Sequence, residues 1–333
     1  MSGIVGICYR GKRQVEVRDV ENMATALAHR GPHGAGVWAN GSVGLGHRRL
    51  GTTRESCKET LPLVDPKGDL VITADVRLDN RSELMALLGI DDFTLSDAAL
   101  LLLAYKQWGQ RCPSMLLGDF AFAIWDSRQQ RLFCARDYFG VKPFFYYRSE
   151  RAFVFASEIK ALLRVEEVPR RLNETRVGDY LIGALDDKAM TFYRDIFRLP
   201  AGHWLVVAEN HHEVQSYWSP DPERELRLGS DEEYAEAFRE VFQEAVSCRM
   251  RDVSPVGSTL SGGLDSSSIS CMARHLLQSE GRGELHTFSV LFDEVPESDE
   301  RQYVNSVLQQ DGFKAHVVRG DTIGPLPELD RFL

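Results

Sequence analysis

The spacing of hydrophobic residues changes character once along the chain. In the first two thirds, short runs of alternating apolar and polar residues follow one another closely, which is typical of β-strands. The predicted strands are residues 4–9, 43–49, 70–77, 120–126, 131–136, 144–148 and 152–156. Short polar connectors such as residues 126–130 suit hairpins, so the last four strands are predicted to form an antiparallel meander.

Two helical patterns interrupt these strands. Apolar residues recur at the three- and four-residue spacing of one helix face at Val20, Met23, Leu27, Leu100, Ala104 and Trp108. The second of these helices is predicted to begin at Ser96 and Asp97. Antiparallel strands with a few helices on the sheet faces predict a layered α+β domain over residues 2–218.

A different pattern follows a polar, proline-containing linker at residues 219–229. From residue 230 to 333, predicted strands at 256–260, 286–292 and 314–319 alternate with helices at 265–277 and 301–309. This β-α-β-α-β order predicts an α/β domain with a parallel sheet, whose ligands bind at the carboxyl ends of the strands. Three parallel strands leave a thin core, so we expect an incomplete domain and a C-terminally truncated chain.

Composition and charge argue against nucleic-acid-binding, membrane-spanning and secreted proteins. The formal net charge of −10 argues against nucleic-acid or anionic-membrane partners, because both favour a basic surface. The longest apolar run, residues 98–104, is too short to span a bilayer, and no secretory signal opens the sequence. Six scattered cysteines form no metal-ligand spacing, so reduced thiols and a cytoplasmic location are expected.

The strongest chemical signal is a glycine- and serine-rich turn between a predicted strand and a predicted helix. It consists of Leu260, Ser261, Gly262, Gly263, Leu264, Asp265, Ser266 and Ser267. Glycines allow backbone N–H groups to approach an anion, and a helix N-terminus favours negative charge. Asp265 would repel a phosphate unless a cation lies between them, so we predict Mg²⁺ at Asp265. A serine-capped glycine turn without a ligand is the alternative interpretation.

This turn resembles the Ser-Gly-Gly-x-Asp-Ser motif of the ATP pyrophosphatases, which have a Rossmann-like parallel sheet. The resemblance implies that ATP binds here and is cleaved to AMP and pyrophosphate. It also implies that the next strand, with Ser289 and Val290, lines the adenine. The turn is not a Walker loop, because no Gly-Lys-Ser/Thr follows it.

The first domain resembles the class II glutamine amidotransferases, which have an N-terminal-nucleophile hydrolase-like fold. The matching segments are residues 3–7, 29–32, 47–50, 118–123, 135–137 and 156–162. Joined to the pyrophosphate turn, this domain gives the arrangement of the asparagine synthetase family. The two resemblances together cover nearly the whole chain.

The sequence departs from this family at the nucleophile and at the oxyanion pair. The family's nucleophile is a cysteine after the initiator Met, and here that position is Ser2, whose hydroxyl is much harder to deprotonate. The family's Asn-Gly oxyanion pair is replaced by Thr73 and Ala74. We therefore predict that this glutaminase site is inactive. The resemblance places Arg49 and Asp97 at a vestigial glutamine-binding site, and an internal ion pair or helix cap is their alternative role.

A ligase without its own ammonia source needs another amine. The sequence is most similar to the lasso-peptide macrolactam synthetases, on the features Met1–Ile4, residues 73–81 and residues 296–301. This resemblance implies an ATP- and Mg²⁺-dependent, AMP-forming closure of an isopeptide ring in a precursor peptide. It also implies a leader-binding protein and a protease as pathway partners.

Three other interpretations remain open. One is an asparagine synthetase that uses ammonia, or a Cys-to-Ser form of one that uses glutamine; the loss of Asn-Gly argues against a single engineered change. The second is a truncated, non-catalytic binding or scaffold fragment, and truncation would leave even a ligase inactive in isolation. The third is a serine N-terminal hydrolase, which the missing oxyanion pair disfavours.

Overall fold

The computed structural model describes residues 1–184, 186–209, 211–251 and 255–322. The chain divides into two compact units, Met1–Arg224 and Glu225–Leu333, and this boundary falls inside the segment predicted as a linker. The helices are α1 (Val17–Thr25), α2 (Arg54–Lys58), α3 (Arg81–Leu88), α4 (Asp97–Trp108), α5 (Ile159–Leu162), α6 (Glu174–Ile182), α7 (Asp231–Arg249), α8 (Leu264–Ser279) and α9 (Arg301–Leu308).

The strands of the first unit are β1 (Gly3–Tyr9), β2 (Ala35–Asn40), β3 (Val43–Arg48), β4 (Leu63–Val64), β5 (Leu70–Leu78), β6 (Gly118–Asp126), β7 (Arg131–Arg136), β8 (Phe145–Arg148), β9 (Ala152–Ala156), β10 (Ile196–Arg198), β11 (His203–Ala208) and β12 (His211–Ser216). Those of the second unit are β13 (Gly257–Thr259), β14 (Leu285–Leu291) and β15 (Phe313–Arg319). Strands β2, β4 and β10–β12 were not among the predicted strands.

The described part of the first unit forms two antiparallel sheets packed face to face. Their strand orders are β10-β8-β9-β1-β3-β2 and β12-β11-β7-β6-β5-β4. An apolar layer lies between them, in which the rings of Phe144 and Phe155 stack with centroids 5.2 Å apart. Helices α1 and α5 pack on the outer face of the first sheet, and α3 and α4 pack on that of the second. This helix–sheet–sheet–helix arrangement confirms the predicted layered α+β domain.

The predicted meander is wrong, because its four strands are divided between the two sheets. Strands β6 and β7 pair in the second sheet, whereas β8 and β9 pair in the first. Arg136, at the end of β7, holds the crossing: its Nε donates to Lys142 O and its Nη1 to Leu199 O, both at 2.7 Å. Hairpin spacing predicts that β6 pairs with β7 and that β8 pairs with β9. It does not predict that the chain crosses from one sheet to the other at the buried Arg136.

The buried Asp137 fixes the same crossing from the other side. Its Oδ1 accepts hydrogen bonds from Phe139 N (3.2 Å) and Val141 N (2.8 Å), and its Oδ2 from Phe120 N (3.3 Å) and Lys142 N (2.9 Å). One carboxylate therefore accepts from four backbone donors, and two of these, Phe120 N and Lys142 N, are buried and would otherwise lie unpaired in the interior.

The second unit contains the predicted parallel strands, in the order β13-β14-β15 within the described residues. Side chains alternate along β14: Leu285, Thr287, Ser289 and Leu291 are buried, whereas Phe288 and Val290 are exposed on the other face. Helices α8 and α9 pack against the sheet. The order β13-α8-β14-α9-β15 confirms the predicted β-α-β-α-β run, with boundaries that differ by one or two residues. The apolar-rich C-terminal segment, residues 326–333, lies outside the described residues.

None of the helices in the described ranges combines the length and the apolar character needed to cross a bilayer.

We expect Asp137→Ala to lower the free energy of unfolding of the first unit by about 3 kcal/mol, because four N–H groups, two of them buried, lose their acceptor. Tryptophan fluorescence during urea unfolding measures this in the intact chain, since all tryptophans lie in the first unit: Trp38, Trp108, Trp125, Trp204 and Trp218. Asp91→Ala, at an exposed position between α3 and α4, is the control and should change stability little. Equal effects of the two substitutions would contradict the prediction.

Candidate functional site

The predicted phosphate turn joins the end of β13 to the start of α8. Gly262 has φ +95°, in the left-handed region that L-residues rarely adopt. A Cβ at Gly262 would lie 3.0 Å from Tyr303 Cβ and 3.2 Å from Glu300 O, at the start of α9. Gly262 is therefore required by both backbone conformation and packing. Sequence reasoning missed the contribution of Tyr303, because a residue 41 positions away gives no local signal.

Serine hydroxyls hold the turn in shape. Ser266 Oγ accepts a hydrogen bond from Ser261 N at 3.2 Å, donates to Gly263 O at 3.2 Å and lies 3.0 Å from Ser261 Oγ. The N-cap of α8 is Gly263, whose position offers no side-chain cap. The first N–H groups of α8 therefore remain available to an exogenous acceptor, as they do at anion-binding helix N-termini. Ser267 lies in the first turn of α8, and its N–H bonds to Gly263 O.

Asp265 lies in the first turn of α8 and is exposed, together with Leu264. No hydrogen bond or ion pair engages the Asp265 carboxylate within the described parts of the chain. Those parts also contain no cluster of three or more His, Cys, Asp or Glu residues suited to a metal. A single carboxylate beside phosphate oxygens is nevertheless the donor set that nucleotide-bound Mg²⁺ uses. The residues present thus fit the predicted ion.

Leu260 and Ser289 anchor the turn to the sheet. Leu260 is fully buried and its N–H donates to Phe288 O at 2.9 Å. Ser289 Oγ donates to Leu260 O at 2.6 Å, which fixes where the turn leaves β13. Val290 is exposed on the opposite face of β14. The side chain of Ser289 therefore positions the turn, and the predicted contact of Ser289 and Val290 with adenine stays a prediction.

In the first unit, Ser2 lies immediately before β1 and beside charged side chains. Ser2 Oγ accepts from Leu50 N at 3.0 Å, and Ser2 N donates to Asp75 Oδ1 at 3.3 Å. The buried Asp75 carboxylate also pairs with Lys142 Nζ at 3.1 Å and Arg30 Nη2 at 3.5 Å. Two cations thus compensate one buried carboxylate beside Ser2.

Thr73 and Ala74 lie on β5, next to this cluster. Thr73 is fully buried, and its Oγ1 donates to Gly46 O of β3, in the other sheet, at 3.0 Å. Ala74 is buried in the apolar core between the second sheet and its helices. The Thr73 hydroxyl is engaged in bridging the sheets, and neither side chain supplies an amide donor to Ser2.

The guanidinium of Arg49 is bound by backbone carbonyl groups. Its Nη2 donates to His33 O at 2.8 Å, and its Nη1 donates to Glu59 O at 3.3 Å and to Cys57 O. Arg49 thereby holds the segment that follows β3 in place.

Asp97, the first residue of α4, is held by internal donors. Asp97 Oδ1 accepts from Arg81 Nη1 at 2.8 Å, and Oδ2 accepts from Leu78 N at 2.9 Å. Ser96 is the N-cap, and its Oγ accepts from Ala99 N at 3.2 Å. The alternative interpretation of an internal ion pair at the start of a capped helix therefore describes the observed contacts of Asp97.

Glu59 is a further member of this region that sequence reasoning missed. Burial raises the pKa of Glu59 to about 7, and the nearby Asp97 charge adds to this rise. Hydrogen bonding by the Ser96 hydroxyl and the Ala98 N–H, together with the Arg49 charge, opposes the rise. Glu59 Oε1 is a buried atom without a hydrogen-bond partner among the described residues, which accords with the raised pKa. Its position follows a helix-and-turn segment with no strong periodicity, so no sequence signal marked it.

Comparison with protein families gives two matches. Residues 1–218 match the family described as glutamine amidotransferase domain. Residues 237–333 match the family described as asparagine synthase.

Individual relatives cover most of this chain. "Asparagine synthetase [glutamine-hydrolyzing] 3" of Bacillus subtilis is 32% identical over 88% of the chain and 48% of the relative. "Putative asparagine synthetase [glutamine-hydrolyzing] 2" of Methanocaldococcus jannaschii is 31% identical over 94% of the chain and 63% of the relative. "Amidase chry2" of Gibberella zeae is 30% identical over 93% and 48%. The chain thus spans about half to two thirds of the length of these relatives.

We expect Gly262→Ala to destabilise the turn by about 1–3 kcal/mol, because the new Cβ is strained by φ and meets the start of α9. Hydrogen–deuterium exchange of residues 257–270 and 300–308 should become faster. Gly281→Ala is the matched control, since Gly281 also has positive φ (+65°) but nothing lies within 4 Å of its Cβ position. Equal exchange in the two variants would show that the contact with α9 does not constrain the turn.

The pKa of Glu59 predicts a pH dependence of stability. Between its ordinary value of 4.5 and about 7, the folded state keeps a proton that the unfolded state releases, so stability falls as pH rises through this window. Glu59→Gln cannot ionise and should gain, relative to the native chain, on the order of 1–2 kcal/mol between pH 5 and pH 8. Urea midpoints from tryptophan fluorescence measure this gain. The exposed Glu83→Gln should show none, and a pH-independent difference for Glu59→Gln would refute the assignment.

Proposed function

Because the chain belongs to the glutamine amidotransferase domain family over residues 1–218 and continues into an asparagine synthase match, we propose that it acts in an ATP-dependent amide-forming ligase. In this proposal the site around Ser2 does not supply ammonia by hydrolysing glutamine. The amine comes from the substrate itself, as in a macrolactam-forming lasso-peptide cyclase.

One observation carries the ligase assignment: the turn from Leu260 to Ser267 presents an uncapped helix N-terminus, a constrained Gly262 and the exposed carboxylate of Asp265. The helix N–H groups and the Ser261 hydroxyl provide donors for the phosphate tail of ATP. Asp265 would hold Mg²⁺, which supplies charge neutralisation between phosphate oxygens. Ser289 and Leu260 keep the turn at the carboxyl end of the sheet, where ligands of parallel sheets bind.

The reaction follows from the type of phosphate turn. A carboxylate oxygen of the substrate attacks the α-phosphorus of ATP, and pyrophosphate leaves with the electron pair of the broken P–O bond. An amine then attacks the acyl carbon, AMP leaves, and the proton of the amine passes to solvent. When amine and carboxylate belong to one peptide, the second step is intramolecular, which lowers its entropic cost.

The assignment of an inactive glutaminase rests on Ser2 and Thr73. Ser2 Oγ accepts from Leu50 N, and Thr73 Oγ1 donates to Gly46 O. Ser2 therefore offers a hydroxyl in place of a thiol, and Thr73 offers no side-chain amide. Loss of the nucleophile and of an oxyanion donor each cost large factors in rate.

The names of the relatives, which are asparagine synthetases described as glutamine-hydrolyzing, favour a second candidate, an asparagine synthetase that uses free aspartate with glutamine or ammonia. Both candidates share the nucleotide turn and differ in the acceptor of the adenylyl group. For the cyclase, we propose a precursor peptide as substrate and a leader-binding protein and protease as partners. For the synthetase, the substrate is the amino acid alone.

We expect the chain to bind ATP with Mg²⁺ and Asp265→Asn to weaken this binding by about tenfold or more, with loss of the Mg²⁺ dependence. Isothermal titration calorimetry with and without EDTA measures both effects. Asp311→Asn, an exposed change between α9 and β15, is the control. Absence of any nucleotide affinity in the native chain would leave the scaffold interpretation.

Pyrophosphate release then separates the remaining candidates. Release that requires an added precursor peptide supports the cyclase, whereas release with aspartate and ammonia supports the synthetase. Release of glutamate from glutamine would show that the front site is active.

A further inference from the structure

The outer side of the second sheet carries a cavity of about 360 Å³ beside the C-terminal turn of α4. Strand β5 contributes Leu70 to its lining, β6 and β7 contribute Asp126 and Arg131, and α4 contributes Tyr105 and Lys106. This volume lies near the lower end of the range for small-molecule sites, about 300–1,000 Å³. The cavity is therefore large enough for a small organic ligand.

Two of the carboxylates that line the cavity are compensated by cations of the protein. Asp65 Oδ2 pairs with Lys106 Nζ at 2.8 Å, and Asp65 Oδ1 accepts from Asp69 N at 2.8 Å and Leu70 N at 2.9 Å. The Asp69 carboxylate pairs with the Arg128 guanidinium. Lys106 and Arg128 are thus already committed to acidic partners.

The third carboxylate of the lining, that of Asp126, is also engaged. Its Oδ1 accepts from Arg128 N and Gln129 N, both at 3.1 Å, and its Oδ2 accepts from the Tyr105 hydroxyl at 3.4 Å. Asp126 lies opposite Arg131 in the ladder between β6 and β7, yet no ion pair joins these two side chains. The oxygens of Asp126 are bonded to Tyr105 and to the backbone instead.

Two cations of the lining have no such compensation. Arg131 Nη2 donates to the Tyr105 hydroxyl, a neutral acceptor, at 3.1 Å, and Arg131 Nε is buried without a partner. Among the residues that the structure describes, neither Arg131 Nη1 nor the ammonium of the exposed Lys67 has a hydrogen bond or an ion pair. A guanidinium has five N–H donors and matches the oxygens of carboxylate and phosphate groups. The cavity thus presents uncommitted donors of positive charge beside satisfied carboxylates.

We propose that this cavity binds a small organic dianion, a phosphate monoester or a dicarboxylate. Arg131 is the main anion-binding residue, and Lys67 supplies the second positive charge. Two uncompensated cations match a ligand charge of about −2, and charge-assisted hydrogen bonds to a guanidinium are among the stronger polar contacts. Leu70 and the Tyr105 ring offer apolar contact to the carbon atoms of such a ligand.

This site is additional to the proposed ligase function and independent of it. It lies at the start of β5, whereas Ser2 bonds to Asp75 further along the same strand. The nucleotide turn belongs to the second unit. Loss of ligand binding at the cavity would therefore leave both other sites unchanged.

Isothermal titration calorimetry of the intact chain, at constant ionic strength and without nucleotide or Mg²⁺, tests the proposal. The probes are glycerol 3-phosphate, succinate and, as the uncharged comparison, glycerol. We expect saturable binding of at least one dianion with a Kd of about 1 mM or tighter, and none of glycerol. The probe that binds more tightly identifies the ligand as a phosphate monoester or a dicarboxylate.

Substitutions then assign the binding to the cavity. Arg131→Gln should weaken it by about tenfold or more, because a charge-assisted hydrogen bond is lost, and Arg131→Lys should restore part of the affinity. Lys67→Gln, at an exposed position, should weaken it less, by about twofold to fivefold. Arg18→Gln and Lys12→Gln remove exposed cations elsewhere in the first unit and should leave the affinity unchanged.

The proposal is wrong if neither dianion binds the native chain, or if a folded Arg131→Gln variant binds as tightly as the native chain, since the anion would then lie elsewhere. Tryptophan fluorescence shows whether each variant is folded. If Arg131→Gln does not fold, the ¹⁵N resonance of Arg131 Nε in the native chain, assigned by its absence in Arg131→Lys, should shift during titration. An unchanged resonance at saturating probe would exclude the cavity as the site.

Discussion

Two antiparallel sheets packed face to face exclude water from the layer between them, so a polar group placed there is stabilised by a partner within the protein. This constraint explains the arrangement of the first unit better than any single motif. Asp137 satisfies the backbone donors of the crossing between sheets, and Arg136 satisfies its carbonyl groups. Thr73 donates across the layer to Gly46. The side chain of Thr73, at a position predicted to belong to the glutaminase site, thus joins the two sheets.

The second unit shows the opposite use of backbone groups. The N-terminus of α8 is left without a side-chain cap, and Gly262 packs directly on the start of α9. Unpaired donors are tolerated there because they lie at the exposed end of the sheet and can bond to water or to a ligand. Hydrogen bonds of Ser266 and Ser289 hold the turn in shape, so little reorganisation would accompany the anion binding that we propose.

The charged residues near Ser2 and at the start of α4 are paired within the chain. Arg49, Asp97 and Asp75 are each bound within the chain. A buried charge is costly to leave unpaired, so a site that no longer receives a charged ligand is stable only when other groups of the protein compensate it. The internal pairing of these charges accords with the proposal that the first unit does not hydrolyse glutamine.

The sequence by itself determined the elements with a clear local pattern and the glycine- and serine-rich turn. Hydrophobic periodicity marks β6, β7 and α4, and glycines and serines lie at fixed offsets between β13 and α8. The sequence also showed the replacements at Ser2, Thr73 and Ala74. Only the tertiary structure decided how β6–β9 divide between two sheets, since that depends on the buried Arg136 and Asp137. Only the tertiary structure likewise showed that Tyr303 packs at Gly262 and that Glu59 lies near the Asp97 charge. These contacts join residues far apart in the chain, or in segments without periodicity, and a local pattern carries no information about them.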